Sequence, residues 1–212
     1  MKKVFILAEH LNDEHEVDFY EEGYTHLRAF HACRPLRISD YLNNGITPIS
    51  YKSALKDTKD RVVCDYISKE DAISEFKKEW SKFDDIHKRV WLQIDKDELL
   101  GMSSHYLIYG SEFINALAMN LGCRSRLKEI GIPTIFYCDI PIRDVAQKDI
   151  DEIQERINNR NVNNIGIAVD NVLPQNIVNY EHPIKRLTDS YGGTYKPDYE
   201  KLNENAFVFK KI

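Results

Sequence analysis

The sequence predicts an α+β protein. Short apolar runs with strand character and amphipathic stretches with helical spacing follow one another without the regular βαβ alternation of a doubly wound sheet. Hydrophobic residues make up 42% and charged residues 30% of the 212, a globular balance able to bury a real core. That length suits one domain over 1–212, and no repeat, linker or low-complexity tract divides it.

Val4 to Ala8 is a continuous apolar run, expected as a buried strand. An acidic stretch, "EHLNDEHEVDFYEE", carries His10 and His15 among carboxylates. Their spacing matches neither HExxH nor an EF-hand, so a solvated loop is expected there. Thr25 to Phe30 reads as a strand that Pro35 ends; a short helix with Ile38, Tyr41 and Leu42 follows, stopped by Gly45. Ser68 to Asp71 has the form of a capping box, opening a helix that packs Ile73, Phe76, Trp80 and Phe83. "RVWLQID" from Arg89 is the next strand.

"HYLIYGSEFINALAMNLG" reads as strand, turn and helix. Tyr106 to Tyr109 would be extended, Gly110 turning and Ser111 capping; Phe113, Ile114, Leu117, Ala118 and Leu121 would be buried, and Gly122 would close the helix. "IPTIFYCDIP" supplies a strand between prolines, Asp144 to Asn158 a polar helix with an Ile150, Ile153, Ile157 stripe, and "IGIAV" a further strand. The turn-rich "SYGGTYKPDY" then leads to a terminal strand, "AFVFKKI".

A net charge of −5 argues against a general electrostatic binder of nucleic acid; Arg124 to Lys128 and the terminal Lys210 and Lys211 offer only local contacts. No stretch approaches the roughly 20 apolar residues of a membrane span, and the N-terminal apolar run is too short for a leader. The four cysteines form no CxxC pair. The expectation is a cytoplasmic protein with reduced thiols, no membrane contact and no tightly bound metal. GxGxxG, P-loop and GxSxG motifs are all missing.

Two motifs remain, "FHACRP" and "YLIYGSE", each leading into a helix. Together, "RAFHACRPLRISDYLNNGI" and "LIYGSEFINALA" resemble the ADP-ribosyltransferase superfamily, in the His-Tyr-Glu branch of diphtheria-type toxins and poly(ADP-ribose) polymerases. The resemblance covers Thr25 to Leu121 and places the signature histidine at His31 and the tyrosine at Tyr109, with Tyr106 second. It implies a split central sheet with flanking helices and NAD as the substrate. It also implies a macromolecular acceptor, protein or nucleic acid, and a toxin-like or regulatory enzyme with a possible neutralising partner. Cleavage of the glycosidic bond of NAD develops positive charge on the nicotinamide ribose, which a fixed carboxylate stabilises. The signature glutamate is sought at Glu204 first, then Glu112, then Glu181.

Each residue has a plainer alternative. His31 can be a strand-end histidine satisfied by a backbone group, and Arg34 can either clamp a pyrophosphate or form a surface salt bridge. Tyr106 and Tyr109 would face opposite sides of a strand, so at most one lines a cleft. Ser111 is an N-cap that could also offer an anion site, and Glu112 suits a first helical turn on dipole grounds alone. Cys33 is a buried thiol or the nucleophile of a Cys-His hydrolase with His31. The transferase reading requires His31 and Tyr109 to converge on one cleft. A nucleotide-binding or protein-interaction module without catalysis is the alternative.

Overall fold

Two strands, His26–Cys33 and Thr134–Pro141, pair antiparallel along their whole length, from His26 opposite Pro141 to Cys33 opposite Thr134. In the computed structural model, which describes residues 1–11, 15–84 and 88–202, they form the centre of a six-stranded sheet. In chain order the strands are β1 (Val4–Phe5), β2 (His26–Cys33), β3 (Val90–Gln93), β4 (Thr134–Pro141), β5 (Gly166–Val169) and β6 (Ile177–Glu181). The sheet runs β5-β3-β2-β4-β6, all antiparallel, with β1 added parallel to the start of β2. The expected α+β class is therefore present, as a mostly antiparallel central sheet with flanking helices.

The helices are α1 (Leu7–His10), α2 (Ile38–Asn44), α3 (Tyr51–Arg61), α4 (Lys69–Trp80), α5 (Lys96–Leu100), α6 (His105–Tyr109), α7 (Glu112–Asn120) and α8 (Gln147–Asn158). They cover both faces of the sheet, which makes two cores. On the first face Leu27, Ala29 and Cys33 of β2 meet Leu92, Phe136 and Ile140, roofed by Ile150, Ile153 and Ile157 of α8 and by Ile38 and Tyr41 of α2. On the second, Phe30 and Ala32 meet Ile135 and the buried sides of α3 to α7, including Phe76, Leu107, Tyr109, Phe113 and Leu117. Alternate residues of one strand thus supply two cores, as the pleat requires. A separate two-stranded hairpin pairs β7 (Leu187–Thr188), just before the stretch expected as a turn-rich loop, with β8 (Thr194–Tyr195) inside it.

Several expectations are corrected. Tyr106 to Tyr109 is not extended but the body of α6, closed by Gly110, whose N–H donates to the Tyr106 carbonyl oxygen at 3.0 Å. Both long edges of β2 are already occupied by β3 and β4. A four-residue apolar run reads equally as strand or buried helix, and here Leu107, Ile108 and Tyr109 are all buried in the helical layer. The run from Val4 leaves the strand after Phe5, because Leu7 starts α1. Helix α8 begins at Gln147, with Ile142–Asp144 forming a separate 3₁₀ turn. Ser68 caps α4 by accepting the Asp71 N–H at 3.0 Å, but the reciprocal capping box occurs between Ser50 and Ser53, at the start of α3. Helix α3 and strand β6 were not expected from the pattern. The terminal strand expected at "AFVFKKI" and the candidate carboxylate Glu204 lie outside the described residues.

Candidate functional site

His31 sits near the end of β2, between Phe30 and Ala32 of the second face. The pleat therefore turns it to the first face, where its strand neighbours Phe136 on β4 and Leu92 on β3 belong. Its Nδ1 lies 3.0 Å from the Trp91 carbonyl oxygen. Burial holds its pKa below the ordinary histidine value, against that backbone bond, which raises it. Tyr109 belongs to the second core. The two signature residues are thus on opposite faces of the sheet, and the convergence required by the sequence-based transferase reading does not occur. The physical reason is parity, since a one-residue step along β2 moves a side chain to the other face.

Arg34, one step past β2, lands on the second face and is 1% exposed. Its guanidinium donates to the carbonyl oxygens of Ile130 at 2.7 Å and Leu107 at 3.1 Å, to that of Lys128, and to the Tyr195 hydroxyl at 3.1 Å. It is neither a direct pyrophosphate clamp nor a surface salt bridge, because its donors are directed into the protein. Arg61 braces the same segment by donating to the Arg34 carbonyl oxygen at 2.7 Å.

The other candidates gather at the outer end of the helical layer. Tyr109 is buried, and its hydroxyl donates to the Asp189 carboxylate in the turn between β7 and β8. Asp189 is 3% exposed and also receives Lys128 Nζ at 3.3 Å and the Tyr191 N–H at 3.0 Å. Burial raises the Asp189 pKa, but the bonds from Tyr109, Tyr191 and Lys128 outweigh it and hold the carboxyl below its usual range. Burial, followed by the Asp189 carboxylate, pushes the Tyr109 phenol up. The Arg124 guanidinium lies 4.8 Å from the ring centroids of both Tyr109 and Tyr191, and Lys128 Nζ is 5.4 Å from the Tyr109 ring. Tyr191 is 48% exposed, so this arginine and tyrosine corner opens to solvent.

A second group adjoins the corner through ring contacts of Tyr191 with Tyr109 and His105, both at 6.2 Å. The Tyr106 hydroxyl donates to Glu112 Oε1 at 3.1 Å, and His105 Nε2 is 3.5 Å from the same oxygen. Among the described residues, neither buried ring nitrogen of His105 has a hydrogen-bond partner. Burial and then Glu112 raise the Tyr106 pKa. Since α6 is helical, Tyr106 and Tyr109 are one turn apart rather than on opposite sides of a strand. Ser111 Oγ accepts the Ile114 N–H at 3.3 Å as an ordinary N-cap of α7. Glu112 already places a carboxylate in that first turn, where a phosphate would meet like charge. Glu181, on β6, is held instead by the Tyr137 hydroxyl at 2.6 Å and Lys96 Nζ at 3.2 Å.

Cys33 does not have the environment of a nucleophile. Burial pushes its thiol up to about 12, against a hydrogen bond with Tyr41, so almost none is thiolate at neutral pH. Alkylation of the native protein at pH 8 is expected to leave Cys33 unlabelled by mass mapping. Labelling as fast as in the unfolded chain would overturn the inert-thiol assignment. Among the described residues, no group of three His, Cys, Asp or Glu side chains is placed to hold a metal ion, and no helix is long and apolar enough to cross a membrane.

Sequence reasoning missed His105, Arg124, Lys128, Asp189 and Tyr191 as site residues. The i,i+4 spacing of Arg124 and Lys128 was one available signal. The other was the Asp-Ser-Tyr-Gly-Gly turn, in which an aspartate precedes a tight hairpin reversal. No family profile, curated protein or solved structure matches the chain.

Proposed function

We propose that this chain binds a nucleotide of the NAD class at the corner formed by Tyr109, Arg124, Lys128 and Tyr191. The observation that carries the reading is the guanidinium of Arg124 at 4.8 Å from two tyrosine rings, one of them solvent-exposed, with an ammonium beside it. A planar cation and an exposed phenol ring suit the face of a base, and the lysine suits a phosphate. Because His31 is on the other face of the sheet, the reading rests on binding and not on the His31 and Tyr109 signature. Calorimetric titration with NAD, ADP-ribose and AMP tests it. Arg124→Ala is expected to weaken binding about tenfold or more, the scale of losing a contact worth about 1–2 kcal/mol. Absence of binding by all three at millimolar concentration would sink the proposal.

The signature form of the transferase reading falls with the separation of His31 and Tyr109, but one observation favours ADP-ribosyl transfer by a carboxylate at this corner, independent of that pair, as a second reading. Glu112 is a half-exposed carboxylate, 56% accessible, touching Tyr106 and His105 next to the same corner. In such a reaction the bond from the ribose to nicotinamide breaks, nicotinamide leaves with the electron pair, and an acceptor nucleophile bonds to the ribose carbon and releases its proton to solvent. Glu112 is then the group that stabilises the developing cation. Glu112→Gln is expected to lower transfer of label from NAD by about a hundredfold while leaving NAD affinity nearly unchanged. Binding without turnover in the unmodified chain would decide for the binding module.

A further inference from the structure

Arg34 presents an electrostatic problem. Its guanidinium is 1% exposed, yet its hydrogen-bond partners among the described residues are three carbonyl oxygens and a phenol, none of them charged. A buried cation ordinarily has an anionic partner, because carbonyl dipoles only partly replace lost hydration. The neighbouring Arg61 has such a partner in Asp57, whereas Arg34 has Tyr195, whose hydroxyl also donates to the Lys128 carbonyl oxygen at 3.1 Å.

Tyr195 also borders a cavity of about 610 Å³, lined as well by Lys128, Glu129, Lys196, Asp198 and Lys201. The volume is within the range of small-molecule sites. Lys201 is paired with Asp198 at 3.5 Å, and Lys128 Nζ reaches Asp189 at 3.3 Å. Lys196 is exposed, and the guanidinium carbon of Arg34 lies 5.4 Å from the Tyr195 ring centroid. Lys128, Lys196 and Lys201 line the opening with Glu129 and Asp198, Lys128 and Lys201 being paired with Asp189 and Asp198, and the Arg34 guanidinium adds a further positive charge next to the Tyr195 ring. Lys128 belongs both to this cavity and to the corner carrying Arg124.

We infer that this cavity binds a pyrophosphate group, so that the ligand of the corner carries at least two linked phosphates rather than one or none. The assignment rests on the nucleotide-binding reading for the ligand's other end, but the pyrophosphate site can be tested alone. An anion seated there satisfies Lys196 directly and adds negative charge near the buried Arg34 guanidinium.

Inorganic pyrophosphate is the probe, titrated calorimetrically into the full chain at low salt. Millimolar or tighter binding is expected, weakened at least tenfold in the Lys196→Ala, Lys201→Ala double variant. Both changed residues are on the surface, so the variant's unfolding transition should match the unmodified protein's. Arg124→Ala should retain pyrophosphate binding while losing affinity for the nucleotide. No binding of pyrophosphate, or equal binding by the double variant, overturns the inference. Equal affinity for adenosine, AMP and ADP also overturns it, while leaving the nucleotide-binding corner standing. Pyrophosphate binding without any nucleotide preference supports the cavity and rejects the corner.

Discussion

Replacing Asp189 by alanine is expected to destabilise the fold by about 2–3 kcal/mol, the scale of leaving the buried Tyr109 hydroxyl without its charged acceptor. This side chain joins the β7–β8 hairpin to the helical layer: Tyr109 Oη, Lys128 Nζ and the Tyr191 N–H all donate to it. Without the carboxylate, a buried phenol and a partly buried ammonium lose their acceptor together. Equilibrium unfolding in urea measures the change, and a loss below about 1 kcal/mol would contradict the assigned role. The acid limb gives an independent reading. The folded carboxyl titrates below its unfolded value. Its contribution is therefore complete above the unfolded pKa of about 4 and is lost as pH falls through the folded value. Asp189→Asn should flatten that limb. A limb of unchanged steepness would remove Asp189 from the list of groups whose protonation drives acid unfolding.

Gly131→Ala is expected to cost about 2–5 kcal/mol, the sum of a left-handed backbone penalty and an overpacking penalty. Gly131 has φ +76°, and a Cβ there would lie 2.6 Å from the Arg34 carbonyl oxygen and 2.9 Å from that of Pro35. Neither oxygen can rotate away as a side chain can, and the Arg34 carbonyl already accepts from Arg61. Gly122 provides the control: its φ is +68°, but nothing lies within 4 Å of its Cβ position. Gly122→Ala should therefore show the backbone penalty alone, about 1–2 kcal/mol. Equal losses in the two variants would show that the close approach to Arg34 contributes nothing.

Much of the fold was legible because local pattern and tertiary role coincide. Ile150, Ile153 and Ile157 predict one face of a helix, and all three are buried on the first face of the sheet. The prolines around "TIFYCDIP" bracket β4 because proline disrupts both ladder and helix. Gly45 and Ser111 end and begin helices as their chemistry suggests. The apolar run at Tyr106 to Tyr109 was misread because its four residues are too short to show a period. With both edges of β2 occupied, burial required the helical form.

The candidate site was much less legible. Residue types allowed His31 and Tyr109 to be paired, but the pleat of β2 and the helical form of α6 place them on opposite faces. Asp189 and Arg124 are far apart in sequence, and neither has a local pattern announcing that they meet around Tyr109. Periodicity, caps and breakers are interactions among near neighbours, so they can be read from the chain directly. Which face a strand residue takes, and which distant carboxylate satisfies a buried phenol, depend on strand parity and on the docking of separate elements. Those are long-range choices, and they separated His31 from Tyr109 and brought Asp189 to Tyr109 instead.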